Sequence, residues 1–185
     1  TSLPFHNHGA ATAVAVEGVN GRVDVKLRVH ELAGASGDYW STMGIRLLHG
    51  RLLTDADSHR RPRACLVDQA FAALYWPGVD PLGRQIAPGN TTVDTSGACT
   101  VVGVVANVKH SDLAERASIG AVYLPFAYWP GRSFALAVRT TLPPGIMVPL
   151  VRKAVLALDP ALPIDDVRPL QSRIDDSLVD RRSPA

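Results

Sequence analysis

The sequence predicts an α+β fold, with a mixed, largely antiparallel sheet lobe and short helices followed by a smaller β-α-β lobe. Three observations predict it: apolar and polar residues alternate near the start, short helices separate strand-length apolar runs, and two strands flank a helix near the end. The 185 residues are 46% hydrophobic and 19% charged. That composition suits one folded domain or two small ones and is too apolar for a disordered chain.

A β-hairpin is the first predicted element. Residues 13–19 are mostly apolar and lead into Asn20-Gly21, after which residues 23–29 alternate valine or leucine with charged residues. Asn-Gly supplies the positive φ angles of a type I′ turn. Because the polar face of the second strand must reach water, we expect an antiparallel sheet that is covered on one side.

Two short helices follow the hairpin. We expect Asp38 to cap a helix over residues 39–43 that Gly44 ends, and Asp68 to cap a helix over residues 69–75. The predicted buried face of the second helix comprises Ala70, Phe71, Leu74 and Tyr75.

Further strands are predicted from the apolar runs. Residues 45–53 are extended with a break at Gly50, and residues 65–67 form a brief strand. Residues 99–108 are apolar on both faces, which indicates a central strand. A strand over residues 121–126 ends near a Tyr-Trp-Pro-Gly break.

The last third of the sequence has a different order of predicted elements. Strands over residues 134–139 and 164–167 flank a helix over residues 147–158, which is a β-α-β unit of the parallel crossover type. Pro169 then opens a final helix, in which apolar residues recur every fourth position at Leu170, Ile174 and Leu178.

The two cysteines, Cys65 and Cys99, each lie in an apolar run and belong to no CxxC pair. Zinc and redox motifs are therefore poorly supported. Two buried thiols acting as small apolar side chains are the favoured interpretation. A disulfide between them stays open if the chain works in an oxidising compartment.

Charge and hydropathy exclude further classes. The net charge is +2, from 19 basic and 17 acidic residues, so nucleic acid is not an expected partner. The densest basic run, residues 59–63, fits a solvated loop. No stretch approaches the ~20 apolar residues of a membrane span, and the first residues do not resemble a signal peptide.

Catalytic motifs fail one by one. Residues 30–34 begin like HExxH, but Gly34 replaces the second histidine. Residues 34–37 are not GxSxG, and no GxxxxGK[ST] or GxGxxG motif is present. The neighbours His110, Ser111 and Asp112 cannot adopt triad geometry.

The other polar clusters have plain explanations. His6 and His8 fit a terminus better than a metal site, and the pairs Asp165-Asp166 and Asp175-Asp176 fit solvated ends of elements. We therefore assign no catalytic, cofactor-binding or metal residue.

Six blocks, in order along the chain, together resemble the MacB-like periplasmic core domain of FtsX-type ABC-transporter permeases, and the nearest subgroup is that of duplicated orphan permeases. Departures such as Trp40, Trp76 and the two cysteines affect no catalytic residue, because the family domain has none. The blocks are residues 39–57 (YWSTMGIRLLHGRLLTDAD), 67–72 (VDQAFA), 75–86 (YWPGVDPLGRQI), 101–110 (VVGVVANVKH), 122–126 (VYLPF) and 154–163 (AVLALDPALP).

The resemblance implies a non-catalytic, extracytoplasmic domain in two lobes, residues 1–131 (sabre-like) and 132–185 (porter-like, leading toward a transmembrane segment). It would face the periplasm from the inner membrane and relay ATP-driven motion to a periplasmic adaptor, a lipoprotein or an exported substrate. Its implied partners are its own transmembrane helices and a cytoplasmic ATP-binding subunit or domain, with no cofactor. The family's first strand and helix are not matched here, so we expect the β-α-β unit of residues 134–167 to have an exposed sheet edge that can pair, for example in a homodimer.

Two alternatives from other classes remain. A metal-binding module or small hydrolase would have to use His6, His8, His30 and His110. A ligand sensor would use a cleft between the lobes. The transported substrate, the direction of transport, the adaptor and the contact residues cannot be inferred from the sequence.

Overall fold

Seven strands and four α-helices lie within the residues that this computed structural model describes, which are 10–17, 29–59, 61–89, 97–108, 120–128 and 133–179. The chain divides into two compact units, Thr1–Ala137 and Val138–Ala185. The predicted break at residues 128–131 lies mostly outside the described residues. The elements are β1 (Ala10–Val16), β2 (Val29–Ala35), α1 (Tyr39–Met43), β3 (Leu47–Gly50), β4 (Arg63–Asp68), α2 (Gln69–Tyr75), β5 (Gln85–Pro88), β6 (Cys99–Val105), β7 (Ala121–Pro125), α3 (Pro144–Leu158) and α4 (Leu170–Val179).

Six of the strands close into a ring. β6 pairs with β4, and the ring continues through β7, β2 and β1 to β5, which pairs back with β6. β3 pairs antiparallel with the end of β6 that β5 does not reach. β2 with β7 and β4 with β6 are parallel, and the other pairs are antiparallel. This confirms a mixed, largely antiparallel sheet and a central β6.

The sheet has a core on both faces. Every strand of the ring contributes to one apolar cluster, which includes Val16, Ile86, Val101 and Val122 and therefore lies inside the ring. Alternate residues of β2, β4, β6 and β7 form a second cluster, which α1 and residues 45–53 cover. The prediction of a sheet covered on one side was based on the polar residues of the segment 23–28. That segment lies outside the described residues, so for the hairpin this stays a prediction.

The hairpin and α1 follow the prediction in part. β1 and β2 are antiparallel as expected, although the turn between them lies outside the described residues. α1 ends at Gly44, whose φ of +70° is the left-handed conformation that glycine adopts without strain. Asp38 precedes α1 but its side chain caps no N–H group, so that part of the prediction was wrong. Ser41 instead donates a hydrogen bond to the Asp38 carbonyl at 2.9 Å.

α2 begins as predicted. The Asp68 carboxylate accepts a hydrogen bond from the Phe71 N–H at 2.8 Å, which caps the helix. The predicted buried face needs correction, because Leu74 is 39% exposed and Trp76, one residue beyond the helix, is buried instead. Phe71, Tyr75 and Trp76 pack together inside the ring.

Cys65 and Cys99 form a disulfide, so the favoured interpretation as free thiols was wrong. Arg63 of β4 pairs with Cys99 of the parallel strand β6, and Cys65 lies two residues further along β4. Their Cα atoms are 5.8 Å apart, which is within the normal range for a disulfide. Both cysteines are at most 1% exposed and lie in the apolar cluster inside the ring.

β3 approaches β6 closely at Gly103. A Cβ atom on Gly103 would lie 2.3 Å from the carbonyl oxygen of Arg51 and 2.9 Å from a methyl carbon of Leu66. A backbone oxygen cannot move away as the end of a flexible side chain can. This position therefore requires glycine.

The second unit departs from the predicted β-α-β unit. α3 and α4 confirm the two predicted helices, but neither residues 134–139 nor residues 164–167 form a strand. A strand needs a hydrogen-bonded neighbour, and the described residues provide none for these segments. α3 has no buried residue, so a sheet packed against this helix would be stabilised little by apolar burial. The Asp166 carboxylate instead binds Arg168 at 2.9 Å and Arg173 at 2.6 Å.

Candidate functional site

The parallel strands β2 and β7 end side by side, at Ala35 and Pro125. The chain after β2 turns at residues 36–38 into α1, and the chain after β7 forms a 3₁₀ helix, Phe126–Tyr128. Loops that follow paired parallel strands meet at one edge of a sheet, which is a common place for binding sites. The candidate site lies at this edge.

A cleft of about 250 Å³ opens there. Its walls come from the turn before α1 and from the segment that leads into a second 3₁₀ helix, Asp55–His59. Apolar side chains lie beside hydroxyl and carboxylate groups, and none of the described residues that line it is basic. The lining residues are Ala35, Ser36, Gly37, Asp38, Trp40, Leu53, Thr54, Asp55, Ser58 and Pro125.

Asp57 fixes one wall of the cleft. Its carboxylate is almost fully buried and accepts two hydrogen bonds from the Arg51 guanidinium, at 2.7 and 2.8 Å. The Thr54 N–H and hydroxyl donate to the same carboxylate at 2.9 and 3.0 Å. The Arg51 hydrogen bonds, helped by those from Thr54, lower the pKa of Asp57 to about 2 against the opposing effect of burial. Asp57 therefore stays ionised at neutral pH and holds residues 54–57 in one conformation.

Tyr128 packs behind this wall. Its hydroxyl donates a hydrogen bond to the Asp57 carbonyl at 3.3 Å and accepts one from Arg61 at 2.6 Å. The guanidinium carbons of Arg61 and Arg63 lie 5.2 and 4.8 Å from the centre of the Tyr128 ring, which is within cation–π range. Tyr128 thus connects Asp57 to Arg61 and Arg63.

Two carboxylates at the cleft are exposed, those of Asp38 and Asp55. Among the residues that the structure describes, neither has an ion-pair partner. Arg51 is bound to Asp57 instead. The cleft can therefore attract a cationic group, and its hydroxyls can accept hydrogen bonds from it.

Of the histidines considered from the sequence, the structure describes His30 only. Its side chain is fully buried inside the ring, where Nε2 lies 2.6 Å from the Tyr75 hydroxyl and the imidazole packs against Phe71. His6, His8 and the segment 110–112 lie outside the described residues. Within the described part of the chain, no three His, Cys, Asp or Glu side chains come together as metal ligands.

Three of the four paired aspartates have structural partners. Asp166 binds Arg168 and Arg173, and Asp176 pairs with Arg168. Asp175 accepts a hydrogen bond from Gln171 at 2.9 Å, one helical turn before it.

Sequence reasoning did not identify the cleft. The one available signal was Asp55-Ala56-Asp57 beside Arg51, because a buried carboxylate needs a cation within reach.

Comparison with known proteins gives a family. The model of the family described as "MacB-like periplasmic core domain" matches residues 6–158. This chain belongs to that family. The MacB-like periplasmic core domain is a periplasm-facing domain of transporter permeases, which confirms the family predicted from the sequence blocks. No helix within the described residues is long and apolar enough to cross a membrane.

Two curated relatives, from two strains of Pseudomonas fluorescens, are named "Probable export ATP-binding/permease protein". They are 30% identical over 113 residues and 29% identical over 103 residues, which is 60% and 55% of this chain. The match covers only 16% and 15% of the relatives' own length.

Two solved structures share the fold. The periplasmic region of MacB from Actinobacillus actinomycetemcomitans has a TM-score of 0.55 and 16% identity, over 81% of this chain and 64% of that one. A domain of a permease protein from Porphyromonas gingivalis has a TM-score of 0.50 and 19% identity, over 78% and 58% of the two chains. The MacB-like periplasmic core domain thus has the mixed α+β fold of these structures.

Proposed function

We propose that this domain relays ATP-driven motion from the membrane helices of an export permease to a periplasmic partner or an exported substrate, without catalysing a reaction itself. The observation that carries the proposal is the family match over residues 6–158, together with relatives named as export ATP-binding/permease proteins. The intact transporter would supply the transmembrane helices and a cytoplasmic ATP-binding subunit or domain. A periplasmic adaptor or lipoprotein is the proposed partner on the other side.

The construction of the first unit supports a mechanical role. The ring of strands has apolar cores on both faces, and the Cys65–Cys99 disulfide joins two adjacent strands. An element of this kind resists deformation, so it can transmit a displacement as a rigid body. The chain forms two compact units, Thr1–Ala137 and Val138–Ala185, and we propose that they act as the two lobes.

Spin labels on the full-length transporter can test the relay. Val79 in the first unit and Leu158 in the second are 49% and 86% exposed, so cysteines at these positions would accept a label. The native cysteines form a buried disulfide and would not react. Under the proposal, the Val79→Cys to Leu158→Cys distance changes between nucleotide-free and ATP-bound transporter.

A pair within the first unit, Leu48→Cys and Val79→Cys, is the matched control and should keep one distance in both states. If neither pair changes with nucleotide, the relay is refuted. The location is tested separately, by labelling Leu158→Cys in intact cells with a maleimide that cannot cross membranes. Labelling that requires cell lysis would contradict a periplasmic domain.

A further inference from the structure

We propose that the Cys65–Cys99 disulfide makes folding of the first unit depend on the compartment. The bond forms while the ring of strands is open, by exchange with a disulfide donor, and it is out of reach of thiols and disulfides once the ring has closed. The bacterial periplasm is oxidising and favours the bond, whereas the cytosol keeps thiols reduced. This inference goes beyond the relay and does not rest on it.

The closed ring encloses both cysteines. Cys65 and Cys99 are 0% and 1% exposed, and both belong to the apolar cluster inside the ring. Phe71, Trp76 and Ile86 belong to the same cluster and are at most 5% exposed. Disulfide exchange requires a thiolate to reach a disulfide sulfur and form a mixed disulfide. A donor in solution cannot approach either cysteine while this cluster is packed.

Both cysteines also lie on strands that are paired along both edges. β4 lies between β6 and β7, and β6 is paired with β4 and β5. Ile86 of β5 is directly opposite Cys99. Fraying of a sheet edge therefore exposes neither cysteine. Access to the sulfur atoms requires the ring itself to open, which belongs to the most costly openings of a domain.

The exchange reaction sets the order of events. One cysteine thiolate attacks a sulfur of the donor disulfide, which forms a mixed disulfide with the protein and releases half of the donor as a thiolate. The second cysteine thiolate attacks the protein sulfur of that mixed disulfide, forms the Cys65–Cys99 bond and releases the other half of the donor. In total the two cysteine thiols lose two electrons and two protons, and the donor is reduced to two thiols. Because a close-packed core cannot hold the donor group of the mixed disulfide, the reaction takes place on the open chain.

The bond also shifts the folding equilibrium. It joins residues 34 apart in sequence, and the chain-entropy relation for such a loop gives a change on the order of 500-fold in the folding equilibrium constant. A reduced chain on the cytosolic side therefore folds less favourably by this factor. The full tendency to fold is reached only on the oxidising side, where the bond forms.

Oxidation of the reduced 185-residue chain by glutathione disulfide tests the order of events. The reaction is run at a series of urea concentrations, and the remaining thiols are counted by a maleimide gel shift. Fluorescence of Trp40 and Trp76 reports in the same samples whether the first unit is folded. We expect oxidation at least about 50-fold slower below the unfolding transition than above it. Rates within about threefold of each other would overturn the proposal, since the bond would then form in the closed ring.

The reverse reaction keeps the test decisive if the reduced chain does not fold without urea. Reduction of the oxidised chain by dithiothreitol should follow the unfolded fraction in the same way. Reduction at the unfolded rate while the tryptophan fluorescence is native would overturn the proposal.

An exposed thiol is the matched control. Val79 is 49% exposed, so Val79→Cys in the chain with the intact disulfide presents one accessible thiol. Its reaction with glutathione disulfide should change less than about threefold across the unfolding transition, because access to it does not depend on opening of the ring. A 50-fold change at this position too would assign the effect to urea and overturn the proposal.

A protein donor is the second arm of the experiment. The disulfide form of a dithiol oxidase replaces glutathione disulfide, and the dependence on urea should be the same. If the oxidase acts on the folded chain as fast as on the unfolded chain, the closed ring admits a donor and the proposal is overturned.

The shift in the folding equilibrium has its own measurement. In glutathione redox buffers, the ratio of oxidised to reduced chain gives the effective concentration of the two thiols, in the folded and in the urea-unfolded chain. A thermodynamic cycle requires the two values to differ by the factor by which the bond shifts folding, which is on the order of 500-fold. A difference below about tenfold would overturn the dependence of folding on the compartment. These measurements need neither membrane nor nucleotide, so they succeed or fail independently of the relay.

Discussion

Loss of the Cys65–Cys99 disulfide should lower the free energy of unfolding by about 4 kcal/mol. The bond joins residues 34 apart in sequence. Closing a loop of that length restricts the unfolded chain, and the chain-entropy relation gives about 4 kcal/mol at 25 °C, within the 2–5 kcal/mol usual for native disulfides. Because Cys65 and Cys99 lie on the adjacent strands β4 and β6, the folded ring needs no rearrangement when the bond is absent.

Urea unfolding measures this effect. Trp40 and Trp76 are buried in the first unit, so their fluorescence should follow its unfolding. With a slope of about 2 kcal/mol per molar, a loss of 4 kcal/mol moves the midpoint down by about 2 M urea. The sharpest comparison is between oxidised and reduced wild-type chain, because the two differ only in the bond.

A second comparison separates the cross-link from packing. The Cys65→Ala, Cys99→Ala variant lacks both the bond and the sulfur atoms, so it should be somewhat less stable than reduced wild type. Because the cysteines are at most 1% exposed, the native chain should also resist dithiothreitol until urea is added. A midpoint difference below about 0.5 M between oxidised and reduced wild type would refute the entropic argument.

Three further substitutions test single interactions. Asp57→Asn should cost about 1–2 kcal/mol, allowing for the solvent exposure of the ion pair, and should flatten the pH dependence of the urea midpoint between about pH 4 and 2. In the wild-type chain the pKa of Asp57 is about 2, below the unfolded value of 3.8, so the stabilisation by Asp57 is present above pH 4 and disappears as the pH falls to 2. The control Asp55→Asn should keep the wild-type pH profile. Gly103→Ala should lower the free energy of unfolding, measured by thermal melts, by at least about 2 kcal/mol. The control Gly145→Ala, whose added Cβ would contact nothing within 4 Å, should change it little, and equal melting temperatures for the two variants would contradict the clash at Gly103. Asp68→Ala should lower the free energy of unfolding by about 1–2 kcal/mol by removing the α2 cap, and Asp68→Asn should lower it by less. Identical urea midpoints for these two variants would exclude capping as the cause.

Local signals in the sequence predicted the elements that depend on near neighbours. Asp68 before α2 and Gly44 after α1 are such signals, because capping and left-handed turns are decided within a few residues. The run of residues that forms β6 indicated a central strand because it is apolar on both faces, which is also a local property. The six blocks of residues, in their order along the chain, predicted the family and, through the family, the α+β class.

Contacts between distant residues could not be read in this way. The disulfide depends on the register that places Cys65 beside Cys99, which strand pairing sets. The same holds for the cleft, since Ser36 and Asp55 become neighbours only when β2 and β7 end together and Asp57 binds Arg51. The strands predicted over 134–139 and 164–167 failed for a related reason: a segment of strand length can pair only where another part of the chain supplies its partner.

The sequence by itself thus determined the family, the α+β class and the boundaries of α1 and α2, because those properties lie in local patterns and in the order of the six blocks. Only the tertiary structure decided that the sheet closes into a ring with two cores, that its two thiols are joined, and that two carboxylates flank a small cleft. Each of those depends on residues that are tens of positions apart, and their proximity is fixed by strand register and packing.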